Sequence, residues 1–486
     1  MRHLKFRPLP AWLWLLSLVV VALAIRTWNP VWFSLSVDEA YSVSLARLPL
    51  SDIIRLIALD NHPPLYFLML HAWISWFGHS EIAVRSLSWL FGTAAVAMVY
   101  LFAKEMFGKR PAVLAALLTA VGPIHVVQSQ TARMYTLLEL LGLLSLYGIV
   151  RIVRSPRPPI GLVLFTIVAN ISLVYTHVFG LYIVATLALC LATAWVWYRR
   201  QRPKPVHARQ IWSAVFVIVV PILTFLPWLA IVVQQLNARQ RTWLVPPTFI
   251  EFSHDLFGDW TVGLAALAII SLPLVNRALR TTNHIWIRIM TIIPILLSYA
   301  VSLTVFPSTS TRHLIVQAAL WNIIIAASIL IIKPIKLQAC LVVWILIMNG
   351  LGTWQQLHTR LAVDWQQVTT EINARSDARD IIIFHQGYNG QFIYPYYTHD
   401  QIRTILPFPQ ASVLHDRSIT ATNLAELDAP LAGNPPQIIL VTNNPAHDNL
   451  LRQYLTSHQY QSQQRTNYGY KTSIEIFCQT DKHVER

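Results

Sequence analysis

Runs of about twenty apolar residues recur from one end of the chain to well past its middle, and no other feature constrains the fold as strongly. They stand at about 10–31, 86–103, 111–127, 134–152, 160–176, 179–198, 211–231, 258–275, 286–305, 313–332 and 336–353. A bilayer core offers no water to exposed N–H and C=O groups, so such segments cross it as helices, whose hydrogen bonds are internal. Composition agrees. Of the 486 residues 55% are hydrophobic and 12% charged, and the mean hydropathy is +0.48; soluble domains carry about 25% charged residues. The net charge of +15 does not describe a nucleic-acid surface. Its Lys and Arg residues sit in short clusters between apolar runs, the pattern that sets membrane topology.

Those clusters order the spans. They are Lys104/Lys109/Arg110, Arg151/Arg154/Arg157, Arg199/Arg200/Arg202/Lys204/Arg209, Arg277/Arg280/Arg288 and Lys333/Lys336. All fall on the side of the basic N-terminus (Arg2, His3, Lys5, Arg7) if the apolar run 63–78 does not cross the membrane. If it crosses, all of them move outside, against the positive-inside rule. The count therefore predicts about eleven transmembrane helices, a cytoplasmic N-terminus, an external C-terminus, and a 63–78 segment that lies on the surface or dips in and returns. "RTWNPVWF" after the first run holds no small-residue cleavage site, so that run reads as an uncleaved span. Cys190 and Cys340 lie in apolar runs and Cys478 in polar sequence, which offers neither a metal spacing nor an external disulfide pair.

This topology sends segments 32–85, 128–133, 232–257 and 306–312 outside, followed by a tail from about 354 to 486. In the tail, "RDIIIFHQ", "PQIILVTNN" and "KTSIEIFCQ" read as buried strands and "WQQVTTEINARS" as a helix. A small α/β domain of about 130 residues is large enough to hold its own core. The first loop holds Asp38, Glu39, Asp52 and Asp60, four of the seven carboxylates before residue 250. Ser51 reads as the cap of an interfacial helix striped by Ile53, Ile54, Leu56, Ile57 and Leu59. Pro63 and Pro64 suit the first turn of the next helix, and Asp52 and Asp60 read as helix-end and turn residues.

A lowered dielectric at the membrane surface pushes a carboxylate toward acting as a base. His62, Arg85, Arg133 and Arg312 are external in the same topology. An acid pair with several cations suits a reaction in which a hydroxyl loses its proton while an anionic group departs. Transfer of a sugar from a lipid phosphate has those demands. Glu139, an acid inside a span, is a functional-site reading by default, or else a partner for Arg133. His71, His125 and His177 read as polar residues satisfied by packing.

The order "VDEAYS", "NHPPLYFLML", "SEIAVRSLSWLFG", "GPIHVVQSQTARMY", with "STRHLIV" later and "VDWQQVTTEINARSDARDIII" opening the tail, resembles the GT-C superfamily of integral-membrane glycosyltransferases. Within it the likeness is to bacterial members of the protein O-mannosyltransferase and aminoarabinose-transferase-like group, and the first 140 residues carry most of it. The resemblance implies a polytopic α-helical membrane protein: a catalytic transmembrane domain at 1–353 with an amphipathic first external loop at 32–85, then an extracytoplasmic α/β domain at 354–486. It implies a polyprenyl-phosphate sugar donor in the cell membrane and inverting transfer to a hydroxyl of a lipid, glycan or protein acceptor. Asp38 matches the family's catalytic base and Glu39 its second acid. His62 matches the residue before the double proline, near the donor phosphate. Arg85 and Arg133 match arginines that serve the phosphate or anchor a loop. Arg312 lies in a stretch where His313 stands in place of the Tyr of many relatives. Some GT-C enzymes bind a divalent metal through an Asp-x-Asp in this loop; none stands here, so a divalent metal stays open as a cofactor but without residue support, and no cofactor is assigned. The rival classes are a transporter or flippase of lipid-linked sugars and a non-catalytic member of the same fold. The first would be marked by inverted repeats and paired broken helices, which the sequence lacks.

Overall fold

The computed structural model describes residues 10–29, 33–60, 62–200, 208–238, 248, 250–251, 281–304, 309–359, 363–376, 380–384, 393, 396–397, 405–407, 428–442, 449–468 and 472–479. The span expected at 258–275, most of the 232–257 loop beyond residue 238, and the N-terminal basic residues 2–7 lie outside them. Along the chain run α1 (Ala11–Arg26), α2 (Val37–Ala46), α3 (Leu50–Ile57), α4 (Leu65–Phe77), α5 (Glu81–Phe107), α6 (Lys109–Val121), α7 (Pro123–Ser129), α8 (Tyr135–Arg154), α9 (Ile160–Thr176) and α10 (Phe179–Arg200). Then come α11 (Ala208–Ala238), α12 (Thr282–Thr304), a 3-10 turn at Thr311–Leu314, α13 (Ile315–Ile329), α14 (Ile335–Thr359) and α15 (Trp365–Arg375). Strands β1 (Ile381–Phe384), β2 (Ile405–Pro407), β3 (Gln437–Thr442), β4 (Tyr460–Tyr468) and β5 (Thr472–Gln479) follow. Chain contacts separate two compact units. One is built from Met1–Pro30, Leu48–Gln240 and Leu244–Thr359, and the other holds Val31–Arg47 with Arg360–Arg486.

The first unit is a multi-pass membrane fold. Among the described residues, six helices are long and apolar enough to cross a bilayer, and α6 with α7 makes a seventh if the pair, bent by 55°, acts as one span. Every expected span within the described residues coincides with a helix or with this bent pair. The bend has a local cause: Gly122 is extended (φ −70°, ψ 135°), and Pro123 restarts the helix at a position where its missing N–H costs nothing. The most apolar stretch of Thr311–Ile329 is 94% buried, whereas that of Ile335–His358 is 17% buried. A predominantly apolar helix belongs in a core or against lipid, and the first of these two lies in the core. α4 has 13 residues, a length of about 20 Å against a hydrocarbon core of about 30 Å.

The first loop differs from expectation in two details. α3 starts at Leu50 with Pro49 at its N-cap, so Ser51 lies inside the first turn and caps nothing. Pro64 is itself the N-cap of α4, and both prolines precede the helix rather than open it. Ile53 and Ile57 are buried while Leu50, Ile54 and Leu59 are exposed, so α3 is two-sided as its stripe requires.

Deep in the first unit a polar network joins α1, α6, α7, α8 and α13. The Arg26 guanidinium is fully buried and donates from Nε to Ser129 Oγ at 3.0 Å and from Nη1 to the Ala22 and Ala120 carbonyls. Glu139, also fully buried, lies 2.8 Å from His125 Nδ1, and Asn322 Nδ2 reaches His125 Nε2 at 3.3 Å and Thr119 Oγ1 at 3.2 Å. Glu139 thus pairs with His125, one helix away, and not with Arg133 as the sequence alternative had it. The hydrogen bonds of Arg26 and Asn322 tie spans together, because unpaired these buried groups would each cost free energy; the Glu139–His125 approach is an ion-pair contact without hydrogen-bond geometry. Helix α8 also meets α9 closely at Gly148, where an added Cβ would stand 2.9 Å from Thr166 Cγ2.

The second unit is a five-stranded sheet in the order β2-β1-β3-β5-β4. β1 is parallel to β2 and β3, while β5 is antiparallel to β3 and β4. Its core is Ile381, Ile383, Ile438, Leu440 and Phe477 from the strands, packed with Leu451 and Leu455 of the helix Asn449–Ser457. The α15 helix and strands β1, β3 and β5 are the elements expected in the tail.

Candidate active site

The acid pair opens α2, in the second unit. Ser36 Oγ accepts from the Glu39 N–H, while Glu39 Oε2 accepts from the Ser36 N–H at 2.9 Å and from Ser36 Oγ at 2.9 Å, a reciprocal capping box. Glu39 is 2% exposed. These contacts give it a helix-start role that the Ser-x-x-Glu spacing already signals. Asp38 is half-buried one position earlier, where a carboxylate is favoured by the helix N-terminal dipole.

What precedes α2 is fastened to the C-terminal segment of the same unit. The Leu35 N–H donates to Tyr397 Oη at 2.8 Å, Ser34 Oγ donates to Asp364 Oδ1 at 3.4 Å, and the Gln366 N–H donates to Ser34 Oγ at 3.3 Å. Asp364 Oδ1 also caps α15 by accepting from the Gln367 N–H at 3.0 Å. The acid helix is thus moored within this unit through Ser34 and Leu35, among other contacts. Tyr397→Phe removes the acceptor for Leu35, a loss of about 0.5–1.5 kcal/mol of local stability. Hydrogen exchange of a peptide covering 33–46 should therefore quicken in that variant; unchanged exchange would show that the mooring does not restrain α2.

A second cluster lies in the first unit, where four helix interruptions meet. His62 stands just before α4, Arg133 two residues before α8, His177 two before α10, and Arg312 with His313 in the turn before α13. His62 Nε2 lies 3.3 Å from Arg133 Nη2 and its Nδ1 lies 3.1 Å from Asp60 Oδ2. A guanidinium only donates, so the ring proton of His62 sits on Nδ1, toward Asp60. The His177 ring lies 5.8 Å from that of His62, 4.8 Å from that of His313 and 6.2 Å from that of Tyr135. The Arg312 guanidinium covers the Tyr135 ring at 5.5 Å, and the Arg133 guanidinium covers Phe67 at 6.0 Å. Arg133 is 3% exposed. Burial first, and then the charges of His313, His62, Arg133 and Arg312, hold the His177 imidazolium well below the usual histidine range, so the ring is neutral.

The structure therefore brings His62, Arg133 and Arg312 together. Arg85 is buried on α5, 3.5 Å from Glu81 one turn back, and Ser88 of the same helix donates to the Arg133 carbonyl at 3.3 Å. Sequence reasoning missed three members: Asp60, read as a turn residue; His177, read as packing; and His313, noted only as a departure. Their shared signal was position, since each lies within a few residues of a break between apolar runs. Among the described residues no group of three or more His, Cys, Asp or Glu side chains is arranged to hold a metal ion. Two guanidiniums, three imidazole rings and the N-terminal ends of α4, α8, α10 and α13 gather there, an arrangement whose charge and helix dipoles suit an anion; at α10 the first N–H groups are already paired within the protein.

A helical membrane unit with a small C-terminal α/β unit matches the GT-C fold expected from the sequence resemblance. Residues 61–228 match the family model described as dolichyl-phosphate-mannose-protein mannosyltransferase. Among solved structures, ArnT from Cupriavidus metallidurans in the apo state is 12% identical, with a TM-score of 0.62 over 96% of this chain and 98% of that one. The structure of that protein bound to undecaprenyl phosphate aligns with a TM-score of 0.61 at 13% identity over the same shares. The apo Archaeoglobus fulgidus oligosaccharyltransferase aligns with a TM-score of 0.56 at 11% identity, over 90% of this chain and 70% of that one. At these identities the likeness is one of fold. Comparison with curated proteins finds no match.

Proposed function

We propose that this protein is a glycosyltransferase of the cell membrane that moves a monosaccharide from a polyprenyl-phosphate donor to an acceptor hydroxyl outside the cytoplasm. The observation that carries this reading is the gathering of Arg133, Arg312, His62 and His177 at four helix N-termini, a built receptor for a phosphate. That a similarly folded protein has been solved bound to undecaprenyl phosphate supports a lipid phosphate as the anion.

In the reaction, Asp38 takes the proton of the acceptor hydroxyl as its oxygen attacks the anomeric carbon. The bond from that carbon to the phosphate oxygen breaks, its electron pair leaves with the polyprenyl phosphate, and the configuration inverts. Arg133 and Arg312 stabilise the charge growing on the departing phosphate, and His62, whose Nε2 accepts from Arg133, holds that guanidinium in place. Arg85 supports the same group from α5, and Glu39 holds Asp38 at the start of its helix. The C-terminal unit, extracytoplasmic in this reading, steadies the acid helix. Acceptor and sugar are open to screening. Purified protein in lipid, offered a panel of labelled polyprenyl-phosphate sugars with candidate glycan, lipid and protein acceptors, should consume one donor and release polyprenyl phosphate. Movement of intact donor between leaflets without cleavage would instead identify a flippase.

A further inference from the structure

The hydrogen-bonding state of His177 is set by the backbone around it. It lies extended (φ −158°, ψ 142°) between α9 and α10, and its Nδ1 accepts from the Phe179 N–H at 3.1 Å. A neutral imidazole has one donor and one acceptor nitrogen. With Nδ1 accepting, the proton must sit on Nε2. The ring is only 6% exposed, yet among the described residues nothing hydrogen-bonds its Nε2. That N–H faces accessible space and is free to bond water or a ligand. Gly180 makes this turn tight: a Cβ there would stand 2.7 Å from the Leu173 carbonyl oxygen. The backbone that fixes the ring therefore has little room to relax. Arg133, Arg312, His62 and His313 all face the ring, so an anion is the ligand whose charge and acceptor oxygens suit the position.

We infer that His177 is a phosphate-binding residue, a neutral Nε2–H donor whose tautomer is set by the Phe179 N–H and which bonds an oxygen of the lipid phosphate. This rests on the proposed reading of the cluster as a phosphate receptor and adds to it a residue with a distinct hydrogen-bonding role. Unlike the two arginines it contributes direction without charge, so the phosphate is oriented as well as held. A strictly structural His177 would need only its Nδ1, to cap α10.

Two substitutions separate these roles, because Asn places its carbonyl near the Nδ1 position and Gln places its amide N–H₂ near Nε2. Binding of undecaprenyl phosphate to the full-length protein in lipid nanodiscs is measured for the parent, His177→Asn and His177→Gln, with thermal unfolding of each. The inference expects His177→Asn to weaken binding roughly tenfold to a hundredfold, as for a lost hydrogen bond to a charged group, and His177→Gln to stay within about threefold of the parent, a loss of no more than ~0.7 kcal/mol. Parent-like binding by His177→Asn overturns it, and so does equal loss in both variants, since the ring would then act through packing or through Phe179. A parent that binds no undecaprenyl phosphate contradicts the proposed function itself, a result distinct from either of these.

Discussion

Asp38→Asn should stop sugar transfer while leaving the lipid phosphate bound. The substitution keeps size and most of the helix-start geometry of α2, since the capping box is built by Ser36 and Glu39, but removes the only proton acceptor assigned to the acceptor hydroxyl. General-base catalysis is worth roughly 10²–10⁴-fold, so single-turnover transfer should fall by that factor. Binding of undecaprenyl phosphate should stay within about threefold of the parent, ~0.7 kcal/mol or less, because no phosphate contact is assigned to Asp38. Transfer at the parental rate would remove Asp38 from the mechanism. A matching loss of phosphate binding would show that it shapes the donor site instead.

Arg133→Gln should have the complementary effect. Arg133 is buried, touches His62 and lies over Phe67, so no water or neighbouring chain easily replaces its charge. A preorganised donor to the departing group is worth roughly 10²–10³-fold, about 2.7–4 kcal/mol. Both donor affinity and transfer rate should therefore fall, and the binding loss should exceed that of any Asp38 variant. Arg133→Gln also leaves His62 Nε2 facing an amide, so a thermal unfolding scan belongs beside the kinetics. A folded Arg133→Gln protein with parental transfer would place the phosphate elsewhere.

Much of the helical unit could be read from hydropathy, because a bilayer demands length and apolarity that show in any window. The bent pair α6–α7 was readable only as one run, since its break depends on a single Gly-Pro step at 122–123. In the α/β unit, β1, β3 and β5 announce themselves through runs of Ile and Val that the sheet buries. β4 ("YQSQQRTNY") does not: it is an edge strand with only Tyr460 and Tyr468 buried, and neither periodicity nor composition marks such a strand. Three residues, as in β2, are too few to carry a pattern.

The site divides in the same way. Asp38, His62, Arg133 and Arg312 stood out because charge is rare in this chain. Asp60 and His177 did not, because their meaning comes from breaks far apart in sequence that converge in space. His177 and His62 are separated by the whole of α4 to α9, and only the fold sets their rings 5.8 Å apart. Glu39 shows the opposite case. Its Ser-x-x-Glu spacing spells a capping box in four residues, with no need of the fold.

The central claim is that a lipid phosphate sits where α4, α8, α10 and α13 begin. An experimental structure of the full chain in nanodiscs with undecaprenyl phosphate tests it most directly. The account predicts phosphate density within about 3 Å of the Arg133 guanidinium and His177 Nε2, with Arg312 and His62 flanking it. Phosphate density at any other group of residues, with Arg133 and His177 left untouched, would contradict it.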